Sequence, residues 1–518
     1  MARLLVAVSA LLALLTTQNS VQASDVTDVT CKFSFYKRKC LPEASCSLQY
    51  RFGDITPSQA CRVRADVVGQ IPSQIHLAYA GETPGTGMTV SWTTYKKVDD
   101  AGVWVGDSAN TLQQADVTVD VKSYYKDEKY ELYSYHATIS GLRPFTTYSY
   151  RVGSIAKEDL RSSVYTFTTA RRTDDDSEFR VAVYGDLGVD ENAMQTIKYV
   201  TEKLPGKVDF VFHVGDISYA DNAGIPTVSS ATEFTGFFYE ETYNDFMTRM
   251  QPLTATTPYM VLPGNHESEC HSAACMVSSE KKKQLSNYRA YNARFKMPSV
   301  ESGGAQNMWY SFEHGPVHFT SISSETDFPN APNNSHIPFN KIPYGGFGDQ
   351  LAWLERDLQR ADANRANVPW VVVMMHRAIY TRTMCDANGV PIGEAAPVQK
   401  AFEELFIKYN VDVVVSGHVH LYSRHFPVRR NKPILDGVSP DYRTYTNPKA
   451  PVYLISGAAG NSEGHKKYDA TKSAKWNAVM DNQHYGISML KVSRKALEWE
   501  FVGVDNGNVL DKFSIQRN

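Results

Sequence analysis

Five short apolar runs, at 181–184, 208–214, 259–262, 368–375 and 411–415, limit what this chain can fold into more than any other feature. Continuous or near-continuous apolarity over so few residues is the mark of strands covered on both faces. Between the last two runs Val398, Phe402, Leu405, Phe406 and Tyr409 recur at helical spacing, as do Leu351, Leu354 and Leu358 ahead of them. Residues 178–518 therefore read as one large α/β domain, in which ligands gather beyond the carboxyl ends of the strands.

The residues at the end of each run point to such a ligand. In chain order the ends are Gly185-Asp186-Leu187-Gly188, Gly215-Asp216-Ile217-Ser218-Tyr219, Gly264-Asn265-His266-Glu267, His376-Arg377 and Gly417-His418-Val419-His420. An Asp after a strand is commonly a turn or cap residue, and a single His is commonly a satisfied polar group. Donors at all five ends together define one metal site. Hydrolysis of a phosphate ester needs a nucleophilic oxygen and neutralisation of the attacking and leaving oxygens, which two adjacent metals supply. A carboxylate is the natural bridge. Asp216 takes that place, with Asp186 terminal on one metal, Asn265, His376 and His418 on the other, and His420 turning back to the first.

The first half of the chain has a different rhythm. From 71 to 170 short alternating segments are punctuated by turns; Met88, Val90 and Trp92 share one face, and 135–139 and 148–152 alternate likewise. This predicts a β-sandwich. The stretch 142–148, Leu-Arg-Pro-Phe-Thr-Thr-Tyr, resembles the tyrosine corner of fibronectin type III domains, in which the Tyr hydroxyl bonds back to nearby backbone. Residues 169–177, with two arginines and Asp174-Asp175-Asp176, read as a solvated linker.

Charge and leader sequence set the compartment. Lys+Arg 53 against Asp+Glu 56 is too balanced for binding driven by a phosphate backbone or anionic lipid, so no nucleic acid partner is expected. Past the first residues no apolar run reaches the roughly 20 residues that span a bilayer, so no membrane partner is expected either. Arg3, the apolar run 4–15 and Val21-Gln22-Ala23 form a secretory signal over 1–23, with the mature, extracellular protein starting near Ser24. Nothing hydrophobic comes after Ile515 to serve as a GPI signal. Of seven cysteines, Cys31, Cys40, Cys46 and Cys61 cluster in an extension over 24–70 and allow three disulfide connectivities. Cys270 and Cys275 share a short loop in which they could close on each other, leaving Cys385 odd. Asn333-Asn334-Ser335 is a sequon in a Pro/Asn-rich stretch and predicts a surface glycan at Asn333.

The set Gly-Asp-x-Gly, Gly-Asp-x-x-Tyr, Gly-Asn-His-Glu, Val-x-x-His and Gly-His-x-His resembles that of the purple acid phosphatases. The likeness extends over residues 180–465, including Gly457-Ala458-Ala459-Gly460-Asn461-Ser462-Glu463, and the fibronectin-like segment is that of the larger members. It implies an α/β metallophosphoesterase sandwich, two packed mixed sheets with flanking helices, behind a fibronectin type III-like β-sandwich. It further implies a secreted acid phosphatase that hydrolyses small-molecule phosphate monoesters by attack of hydroxide at an Fe(III)–M(II) pair. By the resemblance Asp186, Asp216, Tyr219 and His420 bind Fe(III), while Asp216, Asn265, His376 and His418 bind Zn, Fe or Mn in the divalent state. Asn265 and His266 would contact the phosphate, His266 as the acid that protonates the leaving alkoxide, and Glu267 would orient its neighbours.

Two departures stand out. Gly188 replaces the His of the wider class's Asp-x-His motif and Tyr219 is offered instead; a phenolate, with a pKa normally about 10, persists near neutrality only on a strongly acidic cation, which argues for Fe(III). Plant-type members carry a His-rich segment some ten residues past the Val-x-x-His histidine, whereas 380–387 here reads Tyr-Thr-Arg-Thr-Met-Cys-Asp-Ala. Arg377 or Tyr380 is left to make the second substrate contact. A phosphodiesterase or pyrophosphatase would use the same metals, and a non-catalytic iron-binding or adhesion protein the same fold. The complete ligand set with His266 argues against the non-catalytic reading; the fold does not separate the phosphatase from the other two enzymes.

Overall fold

Residues 73–168 build two antiparallel sheets. The spatial order of one is Ser73–Ala80, Gly87–Thr94, Tyr133–Ser140, Val119–Lys122, and of the other Tyr165–Thr168, Thr147–Ser154, Ala101–Gly106, Gln113–Gln114. Met88, Val90 and Trp92 are buried on one face as their spacing predicts, and Trp92 stacks on Tyr135 of the neighbouring strand. The tyrosine corner forms: the Arg143 backbone N–H donates to the Tyr148 hydroxyl at 3.0 Å. The computed structural model describes residues 69–126, 130–222, 239–271, 278–332, 344–468 and 474–517, with Cys275 and the backbone of Phe33–Ser34 and Lys39–Cys40, a pair of antiparallel two-residue strands. The leader 1–23, Cys31, Cys46, Cys61 and Asn333 lie outside the described residues.

The sandwich also packs against the rest of the chain. Every residue of Gly87–Thr94 is buried, because the far face of its sheet lies against the rest of the chain. Gln74 Nε2 donates to Asn244 Oδ1 at 3.1 Å, Thr254 Oγ1 to the Ile75 carbonyl at 2.8 Å, and the His136 imidazole Nε2 to the Ala293 carbonyl at 2.9 Å. Polar side chains that satisfy a neighbouring surface alternate in sequence just as water-facing ones do. The linker is a similar case. Asp174 and Asp176 are exposed, but Arg171 is buried, bonded to Asp209 at 2.6 Å and stacked over the Phe145 ring.

Beyond the linker two mixed sheets pack face to face. The seven-stranded sheet runs Tyr259–Val261, Phe210–His213, Phe179–Tyr184, Gly486–Val492, Ala496–Gly503, Val509–Gln516, Thr444–Thr446. The other is ordered Tyr310–His314, Val317–Ser321, Trp370–Met374, Val413–Ser416, Val452–Ser456, Tyr422–Arg429, Lys432–Pro433, with Asn477–Asp481 also paired to Tyr422–Arg429. Phe210 and Phe212 of the first meet Tyr310, Phe312 and Phe319 of the second, which is the centre of the core. The helices Ala193–Lys203, Gln350–Ala363 and Ala395–Lys408 lay Ile197, Val200, Leu354, Leu358, Val398, Phe402 and Phe406 into the core, while Leu351 and Leu405 are only partly buried.

The apolar runs thus divide between the two packed mixed sheets that the resemblance implies. Phe179–Tyr184, Phe210–His213 and Tyr259–Val261 are mutually parallel in the first, and Trp370–Met374, Val413–Ser416 and Val452–Ser456 in the second. At their carboxyl ends the sheets are stitched together. The Gly185 N–H donates to the Ser456 carbonyl at 2.8 Å, and Ser456 Oγ to the Val183 carbonyl at 3.0 Å.

Candidate metal centre

Along that seam the predicted donors meet. Asp186, Asp216, Tyr219 and His376 are essentially excluded from solvent, and Asn265, His266 and His420 are buried at the rim. The glycines of the motifs explain themselves here. A Cβ on Gly264 would lie 2.1 Å from Asp216 Oδ1, one on Gly215 2.6 Å from His376 Nδ1, and one on Gly417 2.6 Å from Asp186 Oδ2. Only a residue without a side chain lets the next strand end press its donor into the cluster. Asp186, Asp216, Tyr219 and His418 all have positive φ, from 51° to 66°, a conformation uncommon outside glycine that Asp and His adopt more readily than Tyr.

The donor atoms fit a pair of cations. His376 Nε2 is 3.0 Å from Asp216 Oδ2 and 3.2 Å from Asn265 Oδ1, and the donors of Asp216, His376 and His418 lie within 4.8 Å of one another. On the other side of Asp216, the Tyr219 hydroxyl is 3.2 Å from His420 Nε2, 3.4 Å from Asp186 Oδ1 and 3.5 Å from Asp216 Oδ2. Burial first, and then the carboxylates of Asp186 and Asp216, push the Tyr219 hydroxyl well above its ordinary pKa. Without a strong cation it stays a phenol. Burial likewise raises Asp186, whereas the buried Asp216 is held well below the usual carboxylate range by His376 and His266. Two ring orientations are set by backbone: His376 Nδ1 donates to the Val214 carbonyl at 2.9 Å and His420 Nδ1 to the Gly464 carbonyl at 3.2 Å, leaving each Nε2 for the centre. Glu267 accepts from the backbone N–H groups of Asp216, Ile217 and Gly264, the orienting part expected of it. Burial and Asp216 raise its pKa to about 8.

Two outer groups were not foreseen. His266 Nδ1 donates to Asp221 Oδ2 at 2.8 Å, which directs Nε2 toward Asp216 Oδ2, 3.8 Å away. Asp221 is fully buried and also takes His271 Nδ1 at 2.7 Å, and His271 sits inside the Cys270–Cys275 disulfide loop. Burial disfavours the His266 cation, but Asp221 and Asp216 outweigh it and lift the pKa to about 10 in the metal-free chain. On the opposite side His418 Nε2 lies 3.2 Å from Glu394 Oε2 and 3.0 Å from Arg377 Nη1, and Arg377 is paired with both Glu394 and the buried Glu325. Burial and Arg377 push His418 down to about 3. Of the two residues considered for the missing second histidine, Tyr380 is turned away, its hydroxyl on Glu403 at 2.5 Å. Arg377 borders the centre. Asp221 stood two residues past Tyr219 in a recognised motif, a signal that could have been read; Glu394, 24 residues before His418, gave none.

Comparison with known proteins agrees with this geometry. Residues 179–422 match the calcineurin-like phosphoesterase family, 72–169 the purple acid phosphatase N-terminal domain, and 450–512 the iron/zinc purple acid phosphatase-like C-terminal region. Acid phosphatase type 7 of Danio rerio is 30% identical over 476 residues, 88% of this chain and 94% of that one. Purple acid phosphatase 23 of Arabidopsis thaliana is 31% identical over 442 residues, 80% and 84% of the two chains. This chain belongs to the purple acid phosphatase family. A purple acid phosphatase from yellow lupin seeds superposes with a TM-score of 0.67 at 20% identity, covering 87% of this chain and 75% of that one, so the fold is shared as well. As a purple acid phosphatase the chain is a metal-dependent acid phosphatase, and membership implies a dinuclear metal centre. Among the described residues no helix is long and apolar enough to cross a membrane.

Proposed function

We propose that this acid phosphatase is secreted and hydrolyses phosphate monoesters at an Fe(III)–M(II) centre, M being Zn, Fe or Mn. Asp186, Tyr219 and His420 would hold the ferric ion, Asn265, His376 and His418 the divalent one, and Asp216 both. When bound, the ions supply Lewis acidity on the attacking and leaving oxygens. The observation that carries the reading is the convergence of these donors with His266 on one seam between two sheets.

The chain's own part is positioning and proton transfer. Asn265 and His266, adjacent at one strand end, would face the phosphate. Because Asp221 occupies Nδ1, the proton that His266 can give to a leaving alkoxide is the one on Nε2. In this reading the chain divides into a leader over 1–23, an extension over 24–70, the sandwich over 71–170 and the catalytic domain over 178–518. Export is supported by the leader pattern and by the Cys270–Cys275 disulfide, a bond that persists in oxidising compartments. A glycan at Asn333 belongs to the same reading.

Expressed with iron, the protein should be violet or pink from phenolate-to-Fe(III) charge transfer, and Tyr219→Phe should be pale with its iron retained. Phenyl phosphate should be turned over faster than a bis(nitrophenyl) diester. A coloured Tyr219→Phe variant, or preference for the diester, would overturn the ligand assignment or the monoester assignment respectively.

A further inference from the structure

His418 differs from the other two histidines of the centre in what holds its outer nitrogen. His376 and His420 each donate to a main-chain carbonyl that the fold keeps in place. His418 instead points Nε2 at a side chain, Glu394, whose carboxylate is 41% exposed. A half-exposed glutamate does not hold one rotamer unaided. Arg377 supplies the restraint. It is 1% exposed, its Nε donates to Glu325 Oε2 at 2.8 Å inside the core, and its Nη1 is bonded to Glu394. Ser324 Oγ in turn accepts from the backbone N–H groups of His376 and Arg377, at 3.2 and 2.6 Å, so the strand ends carrying Glu325 and Arg377 are locked together.

We propose that Glu325, Arg377 and Glu394 form a positioning clamp for His418, in which Glu394 accepts the hydrogen bond of Nε2–H and so leaves the Nδ1 lone pair for the divalent ion. The inference rests on the reading of His418 as a ligand. Its physical core is a donor conflict. Arginine only donates hydrogen bonds, and Nη1 lies 3.0 Å from His418 Nε2. If Nε2 carries the proton, two donors face each other unless a carboxylate accepts from both. Without Glu394, Arg377 favours the tautomer with the proton on Nδ1, the nitrogen the ion requires. Arg377 and Glu325 are therefore useful to the site only while Glu394 is present, and Arg377 works against it otherwise. In the clamp Glu394 and Arg377 act through His418 and are positioning residues.

The test is competition for Zn(II) between a chromophoric chelator and the full-length, iron-loaded protein. Glu394→Ala should bind Zn(II) about 10–100-fold more weakly with iron content unchanged, the usual loss when an outer partner of a ligating histidine is removed. Glu394→Gln, whose amide oxygen still accepts from Nε2, should stay within about threefold of wild type. Glu394→Ala combined with Arg377→Met should regain at least about threefold over Glu394→Ala alone, because the opposing donor is gone. Wild-type affinity in Glu394→Ala, or a loss in Glu394→Gln as large as in Glu394→Ala, would overturn the clamp. Should the double variant fail to fold, the contrast between the Ala and Gln variants decides. His376→Ala is the control for the underlying reading: if it too keeps full Zn(II) affinity, the ligand assignment fails rather than the clamp.

Discussion

The two flanks of the centre use one device in two settings. On one, His266 rests on Asp221, which it shares with the second cation-former His271; on the other, His418 meets Glu394, which it shares with Arg377. Asp221 is fully buried and its second partner, His271, sits in a loop closed by a disulfide, whereas Glu394 is half exposed at the start of a helix. A buried, shared carboxylate is strongly coupled to its partners, and breaking it leaves an uncompensated charge. At a half-exposed one, water and salt screen part of the interaction. The His266 flank is therefore built for a fixed geometry, which suits proton delivery. The His418 flank is built around a more exposed contact, and it needs Arg377 to stay ordered.

Three measurements press on that contrast. The largest effect belongs to His266→Ala, which should lower turnover of an alkyl phosphate by about 10²–10⁴-fold and that of a nitrophenyl phosphate far less, since only the poor leaving group needs the proton. Equal losses on both substrates would take His266 out of the acid's place. Next, Asp221→Asn should reduce alkyl phosphate turnover by roughly 10–100-fold while both metals stay bound, the reverse of the pattern for Glu394→Ala. Metal loss in Asp221→Asn would erase the distinction between the flanks.

The smallest effect is one of stability and pH. In the metal-free chain burial opposes the His271 cation, but Asp221 and Glu269 raise its pKa to about 9, above the unfolded value of about 6.5. A group raised on folding contributes stability that is fully present below pH 6.5 and disappears as pH climbs through about 9. With one carboxylate divided between two imidazoles, a contribution on the order of 1 kcal/mol is expected. Melting of the metal-free wild type and His271→Gln across pH 6–9.5 should show a gap that closes over that window. A gap that stays constant would mean that His271 is neutral in the fold.

The site was readable to the extent that it is local. Each of Asp186, Asp216, Asn265, His376 and His418 comes within a few residues of its strand's end, so strand pattern and motif together announce it. The glycines beside them were visible too, but their reason was not; they are explained by side chains from other strand ends, such as Asp216 against Gly264. Glu394 and Arg377 gain meaning only when the helix Ala395–Lys408 is laid beside the strand Val413–Ser416. The sandwich was legible in its alternation, but what covers its outer face was not. Gln74, His76, Ser91 and His136 have the spacing of a wet face, and nothing in a strand's own pattern tells water from a polar protein surface.

The left-handed backbone at Asp186, Asp216, Tyr219 and His418 bears on how this chain can change over time. At such a φ most side chains are strained by about 1–2 kcal/mol, Tyr219 the most and the two aspartates the least, while glycine is not and asparagine is comparatively tolerant. As long as ligation is needed, that strain is retained along with the donor. In a descendant relieved of catalysis nothing would retain it, and Gly and Asn would be the replacements that gain most at these positions. The sheets would lose nothing. Decay of the activity would thus begin at the strand ends, as a stabilisation of the fold rather than as damage to it.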